Sequence, residues 1–137
     1  MTFLVERLAD LRRHLQHLRE IRPRVRDADA LRADLSLHND VLFSLLVVCQ
    51  AVIDLAGELA ARRGIRFQDY TEAVRALRSV EGIPPELVGE IEGLPGFRNV
   101  LVHEYVALDY ELVLEALGKL DAVERFMHTV ARLEGGL

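Results

Sequence analysis

An all-α fold, an antiparallel bundle of four to five helices in one domain over residues 1–137, is what this sequence predicts. Three observations carry the prediction. Leucines recur at helical spacing near the start, residues 41–53 are apolar on nearly every side of a helix, and period-two alternation is sustained nowhere. A chain of 137 residues can bury about two-thirds of the surface that its unfolded form exposes, enough for one core. Half of the residues are apolar, only 6% are aromatic and none is Trp, a composition of compact helical proteins rather than disordered ones.

The elements follow in order. Leu4, Leu8, Leu11, Leu15 and Leu18 are spaced four and three apart, which lines one face of a helix over residues 2–21, and Pro23 ends it. An Asp- and Arg-rich connection with room for its own turn leads to a long second helix, residues 35–63, stopped by Gly64. Its middle is apolar all round, which makes it the central helix. Asp69 and Glu72 have capping-box spacing and open a short helix to Val80, closed by Gly82. Pro84 and Pro85 suit the start of the next helix. Leu94, Pro95 and Gly96 interrupt it, so that Arg98 sits in a fresh or kinked first turn. Asp109 caps the last helix, marked by Val113, Ala116, Leu117, Leu120, Val123, Met127 and Val130.

Composition narrows the function. The formal net charge of −5 creates no global field that would draw in RNA or an anionic membrane, so any nucleic-acid contact needs a local patch. Arg12, Arg13, Arg19, Arg22, Arg24 and Arg26 stand against Glu20 alone in residues 12–26, a run read here as a solvated helix face. The single Cys49, inside FSLLVVCQAVI, behaves as a small buried hydrophobe, which rules out a disulfide framework and points to a reducing, cytoplasmic setting. No N-terminal signal is visible, because the first apolar residues alternate with Glu6, Arg7 and Asp10. The apolar stretch Val41–Ile53 falls short of the roughly 18 residues that a membrane span needs and contains Ser44 and Gln50, so it reads as core, with no membrane partner. There is no Gly-rich phosphate loop and no Ser/His/Asp or Cys/His arrangement. His14 and His17 have metal-compatible spacing but no fitting carboxylate on their helix, and read as solvated; His38 and His128 carry no reading.

Chemistry concentrates in GFRNVLVHEY, residues 96–105, where Arg98, Asn99, His103, Glu104 and Tyr105 crowd a segment otherwise suited to a core. At about 100° per residue, Arg98 and Tyr105 share one side of a regular helix while His103 lies about 140° round from Arg98. The three converge only if the helix breaks near Pro95 and Gly96, or if a second subunit contributes. The apolar second helix offers a surface for such a twin. Asp54, flanked by apolar residues in that helix, either pairs with Arg98 or another arginine or emerges from the bundle, a structural role in each case. Taken alone, Arg98 with Asn99 also suits a helix-start hydrogen-bonding pair, and Tyr105 a core-edge residue with a wet hydroxyl.

Arg98, four residues, His103, one residue and Tyr105 spell R-x4-H-x-Y, with Asn99 directly after the arginine. This resembles the signature of the HepT-like toxins of the HEPN superfamily. The segments QAVIDLAGELAARRG, DYTEAVRALRSVEGIPPEL and GFRNVLVHEYVALDYELV are similar in order and spacing to that family's helices, so the likeness covers most of the chain. The resemblance implies a HEPN-like homodimer acting as a metal-independent endoribonuclease toxin that needs no cofactor. It implies an antitoxin partner of the MNT nucleotidyltransferase type, which moves AMP from ATP to the motif tyrosine, here Tyr105, and so silences the toxin.

The residue types agree with that chemistry. RNA supplies its own nucleophile, the 2′-hydroxyl, and His103 is suited to proton transfer because its reference pKa is about 6.5. Arg98 offers a permanently charged fork for the non-bridging phosphate oxygens. Two His103 side chains across a two-fold cleft would serve as acid and base, leaving a 2′,3′-cyclic phosphate and a 5′-hydroxyl. Asn99 orients the motif backbone and is also placed to touch substrate, and a nucleotide on Tyr105 adds negative charge where RNA docks. The competing reading is a non-catalytic helical module that binds the nucleotidyltransferase or a nucleotide, with Arg98 and His103 clasping phosphate.

Overall fold

A computed structural model describes residues 2–135, and among them the secondary structure is entirely helical. The order is α1 (Thr2–Ile21), α2 (Ala28–Ala33), α3 (Leu35–Arg62), α4 (Tyr70–Arg75), α5 (Pro85–Ile91), α6 (Leu94–His103), α7 (Tyr110–Leu117) and α8 (Leu120–Leu133). Tight 3-10 turns follow α1, α4 and α6. The predicted bundle is present, with α4, α5–α6 and α7–α8 each standing where one helix was expected.

Central α3 packs on α1, α6, α4, α2 and α7. It is long and apolar enough to cross a membrane by composition, yet 61% of its most apolar window is buried inside the protein, as the core-helix reading requires. The leucine stripe of α1 lies against it, with Leu4, Leu8, Leu11, Leu15 and Leu18 all buried. Phe126 of α8 is completely buried and closes the core on the far side. Burial pushes the Cys49 thiol up to about 12, only partly offset by the Arg98 guanidinium, so the group is an inert core atom at neutral pH.

Local signals explain the boundaries. Asp27 caps α2 by accepting from Ala30 N at 3.0 Å, and Asp34 caps α3 by accepting from Leu37 N at 3.1 Å. The Arg-rich connection therefore does contain its own helical turn. Asp69 caps α4 through Glu72 N at 2.8 Å, while the Glu72 carboxylate reaches back to Gln68 N at 2.7 Å; this reciprocal pair matches the capping-box spacing, displaced by one donor. Gly82 adopts φ +96°, and a Cβ there would meet Leu133 Cδ2 at 2.6 Å, so both backbone and space call for glycine.

Two boundaries differ from expectation. The helix predicted to reach Val80 tightens to a 3-10 turn at Ala76–Ser79. The single last helix is divided after Leu117, where Gly118 N bonds to Leu114 O at 3.1 Å and Glu115 O at 3.0 Å and the chain restarts at Leu120. The apolar pattern runs through the break because Ala116, Leu117 and Leu120 all face the same core. Hydrophobic spacing alone does not register such a break.

The arginine run is only partly a solvated face. Arg19 Nη2 donates to Asp121 Oδ1 at 2.8 Å and Glu124 Oε2 at 2.6 Å, Arg22 to Leu117 O at 2.6 Å and Arg24 to Asp34 at 3.1 Å. These contacts tie α1 and the following turn to the α7–α8 corner and the start of α3. The Arg19 hydrogen bond holds the Asp121 carboxyl below its ordinary range.

Replacing Phe126 by Ala should lower the unfolding free energy by about 3–5 kcal/mol, the usual cost of emptying a buried aromatic site, read from urea denaturation with an unchanged m-value.

Candidate functional site

The motif is built by α6 and the 3-10 turn after it. Glu92 and Gly93 break the chain between α5 and α6, and Pro95 falls in the first turn of α6, where its missing N–H leaves no bond unmade. Arg98 thus lies in a fresh helix, as expected. The helix then runs unbroken from Leu94 to His103, so the break precedes both Arg98 and His103 and cannot rotate one toward the other. Arg98 and His103 stay about 140° apart on one cylinder. The first of the two routes to convergence, a kink near Pro95 and Gly96, is not the one that this fold uses.

Arg98 turns toward α3. Its Nε donates to Gln50 Oε1 at 3.0 Å and its Nη1 to Asn99 Oδ1 at 3.1 Å. Gln50 in turn donates through Nε2 to Asp54 Oδ1 at 2.9 Å, and Asp54 Oδ2 lies 4.0 Å from Arg7 Nη1. Asp54 therefore meets Arg7 directly, at long range, and reaches Arg98 only through Gln50. A carboxylate, an amide and a guanidinium form one hydrogen-bonded chain along an open hollow of about 320 Å³ between α1, α3 and α6. Two of the five guanidinium N–H groups are committed, leaving three for an incoming anion.

His103 is the last residue of α6 and faces solvent, with no hydrogen-bond partner among the described residues. It lines a different, shallow hollow with Glu104, Tyr105 and Val106. Within one chain, then, Arg98 and His103 are brought onto one helix but not into one cavity. Val102, which lines both hollows, is 47% exposed and Val106, beside His103, 99%; Phe43 on α3 is 61% exposed.

Tyr105 sits in the 3-10 turn, 45% exposed, with its hydroxyl donating to Asn39 Oδ1 at 3.1 Å. The same Asn39 oxygen lies 3.0 Å from His38 Nδ1, and the His38 ring stands edge-on to Tyr105 and Tyr110 at centroid distances of 5.8 and 5.5 Å. Arg32 covers the other ring, its guanidinium 5.2 Å from the Tyr110 centroid. The phenol is held in place yet reachable.

Gln50, Asn39 and His38 are the contributors that sequence reasoning missed. Gln50 had a signal: a polar residue four before Asp54 on an otherwise apolar helix presents its side chain on the same stripe. Asn39 and His38 had none, since they meet Tyr105 across 66 and 67 positions of chain. His14 and His17 are likewise not merely solvated. Because α1 runs antiparallel to α3, His14 Nδ1 lies 3.1 Å from Ser44 Oγ and His17 Nε2 2.7 Å from Asp40 Oδ1. Burial, helped by Arg13, lowers the His14 pKa and favours its neutral ring. No group of three His, Cys, Asp or Glu side chains suited to a metal ion occurs among the described residues.

Comparison with known proteins bears on this arrangement. The family described as Ribonuclease HepT-like matches residues 11–130. The mRNA nuclease HepT of Shewanella oneidensis is 21% identical over 129 residues, covering 93% of this chain and 95% of that protein. A putative RNase of Archaeoglobus fulgidus is 31% identical over 83 residues, 61% of this chain and 63% of its own. In three dimensions the chain is similar to the tri-AMPylated Shewanella oneidensis HEPN toxin solved in complex with MNT antitoxin, with a TM-score of 0.79 at 21% identity over 96% of this chain and 98% of that one. A toxin–antitoxin structure with AMP-PNP gives a TM-score of 0.77 at 20% identity, over 95% and 98%.

Proposed function

The chain belongs to the HepT-like ribonuclease family, and from that premise we propose that it is the endoribonuclease toxin of a HEPN/MNT toxin–antitoxin pair. It cuts RNA without a metal at a cleft between two copies. The observation that carries this reading is the split state of the motif: Arg98 is tied toward α3 with three N–H groups free, while His103 points outward with no hydrogen-bond partner among the described residues. A second copy is what supplies the missing geometry. Val102 on the wall of the Arg98 hollow, and Phe43 on α3 with only the His14 ring edge-on to it at 5.8 Å, give that copy an apolar seat, and burying them is the driving force for pairing.

In the paired cleft one His103 takes the proton of the ribose 2′-hydroxyl, whose oxygen attacks the adjacent phosphorus. Arg98 donates to the non-bridging oxygens as their charge builds, preorganised by Gln50 and Asn99 so that little reorganisation remains at the moment of reaction. The second His103 protonates the departing 5′-oxygen. The O2′–P bond forms, the P–O5′ bond breaks, and the products carry a 2′,3′-cyclic phosphate and a 5′-hydroxyl. No electron transfer or metal-bound water enters the balance.

Tyr105 is the regulatory position in this reading. The MNT-type nucleotidyltransferase joins the phenol oxygen to the α-phosphate of ATP, with pyrophosphate leaving. Each AMP adds a negative phosphodiester and bulk next to His103, which repels and blocks the RNA backbone. The half-exposed tyrosine, its hydroxyl steadied by Asn39 and its ring by His38, suits an acceptor that another enzyme must reach.

The purified protein should cleave RNA in EDTA and leave cyclic-phosphate ends. His103→Ala should slow cleavage by roughly 10²- to 10⁴-fold and Arg98→Ala by about 10²- to 10³-fold, with melting temperatures close to that of the parent. Intact RNA at every protein concentration would favour the non-catalytic phosphate-clasping module, the reading that the net charge of −5 supports. Co-expression with a nucleotidyltransferase should add AMP-sized increments to the intact mass, absent in Tyr105→Phe; increments that persist in that variant place the modification elsewhere. Phe43→Arg should convert a two-copy sedimenting species to one copy and abolish cleavage together with it. Loss of cleavage with the pair intact would separate catalysis from this face.

A further inference from the structure

Beside the catalytic motif lies a hollow that shares only Asn99 with the cleavage machinery and has no part of the regulatory tyrosine. It occupies about 500 Å³ between the segment leading into α4 and the start of α6 and is lined by Phe67, Gln68, Asp69, Tyr70, Pro95 and Asn99, among others. We propose that this hollow is the subsite that takes the nucleobase adjoining the scissile phosphate, and that it selects bases bearing an amino group. The inference rests on the reading of the chain as an RNA-binding ribonuclease.

Tyr70 forms part of the wall of the hollow. The first residue of a helix that otherwise buries Ala73 and Val74, it leaves its ring 48% exposed on the wall of a concave site. Such a ring is a ready stacking surface for a base, and base–aromatic stacking is the sequence-tolerant part of single-strand recognition. Phe67 adds apolar lining on the same side.

The polar atoms of the hollow read a base edge rather than a phosphate. Asp69 Oδ1 is engaged as the cap of α4, accepting from Glu72 N at 2.8 Å, which leaves its second oxygen as a charged acceptor. A carboxylate there repels a phosphate but accepts well from an exocyclic amine, the group that adenine, cytosine and guanine carry and uracil lacks. The Gln68 side-chain amide supplies both a donor and an acceptor, and its backbone N–H is already spent on Glu72 Oε2 at 2.7 Å. Asn99 uses its carbonyl oxygen to accept from Arg98, so its NH2 group remains as a second donor.

Asn99 also supplies the register. It follows Arg98, accepts its Nη1 hydrogen bond at 3.1 Å, and lines the hollow itself. A phosphate on the free N–H groups of Arg98 and a base in the hollow would thus sit on the two sides of the bonded Arg98–Asn99 pair. The guanidinium holds charge without reading sequence, and the hollow reads sequence without holding charge.

The test measures binding apart from cleavage. Full-length His103→Ala protein in EDTA is titrated with fluorescent RNA hexanucleotides of adenosine, of uridine, and of abasic ribose phosphate, which carry the same charge. Oligoadenosine should bind about 5- to 150-fold more tightly than the abasic strand, with oligouridine between them. Adding Tyr70→Ala should bring oligoadenosine down to the abasic level while leaving abasic binding unchanged, Tyr70→Phe should restore the gap, and Gln68→Ala should narrow the preference for adenosine over uridine. Equal affinity for oligoadenosine and the abasic strand, or a Tyr70→Ala loss shared by both, overturns the subsite. Unmeasurable binding of every strand overturns it as well. The cleavage assay answers separately: RNA cut by a protein indifferent to bases sinks the subsite alone, whereas base discrimination by a wild-type protein that never cuts RNA sinks the ribonuclease reading alone.

Discussion

Everything in this molecule is arranged around the burial of α3, a 28-residue helix whose apolar surface is too wide for one neighbour to cover. Helices α1, α4, α6 and α7 close on it from several directions. They leave one stripe of α3 open, where Phe43, Val47, Gln50 and Asp54 succeed one another at spacings of four and three. That stripe is where polar side chains can stand in a helix otherwise committed to the core, and it is where the guanidinium of Arg98 finds its partner.

The antiparallel setting of α6 against α3 then gives the motif two ends with different environments. At one end Arg98 meets Gln50; at the other Tyr105 meets Asn39. The hydrogen-bonded series Asp54, Gln50, Arg98, Asn99 compensates the partial burial of a permanent charge and fixes the plane of the guanidinium. His103 is treated oppositely. Placed on the helix terminus and turned outward, it has no such support among the described residues.

With a net charge of −5, the local field depends on which carboxylates are paired. Much of the acidic complement is occupied internally: Asp121 and Glu124 by Arg19, Glu90 by Arg125, Glu92 by Arg75 and Arg78. These pairs are exposed and contribute little stability. The carboxylates nearest Arg98 are different ones: Asp10 and Asp54 line the same hollow, and Arg7 offsets their charge at 2.8 and 4.0 Å.

The bundle was legible in the sequence because helical periodicity and capping are local: the leucine stripe of α1, the caps at Asp69 and Asp109, and the stop at Gly64 each depend on residues within a few positions of one another. The R-x4-H-x-Y spacing was legible for the same reason, and with it the family. The break after Leu117 was hidden, because both halves of that helix bury the same apolar face and the pattern continues across it. What Arg98, Asp54 and Tyr105 touch was also beyond the sequence. Their partners Gln50, Arg7 and Asn39 come from other helices at 47 to 66 residues' distance, and only the antiparallel packing of α1 and α6 on α3 decides which side chains face each other. A sequence records which groups are present and at what helical phase; the crossing of the helices alone determines which of them meet.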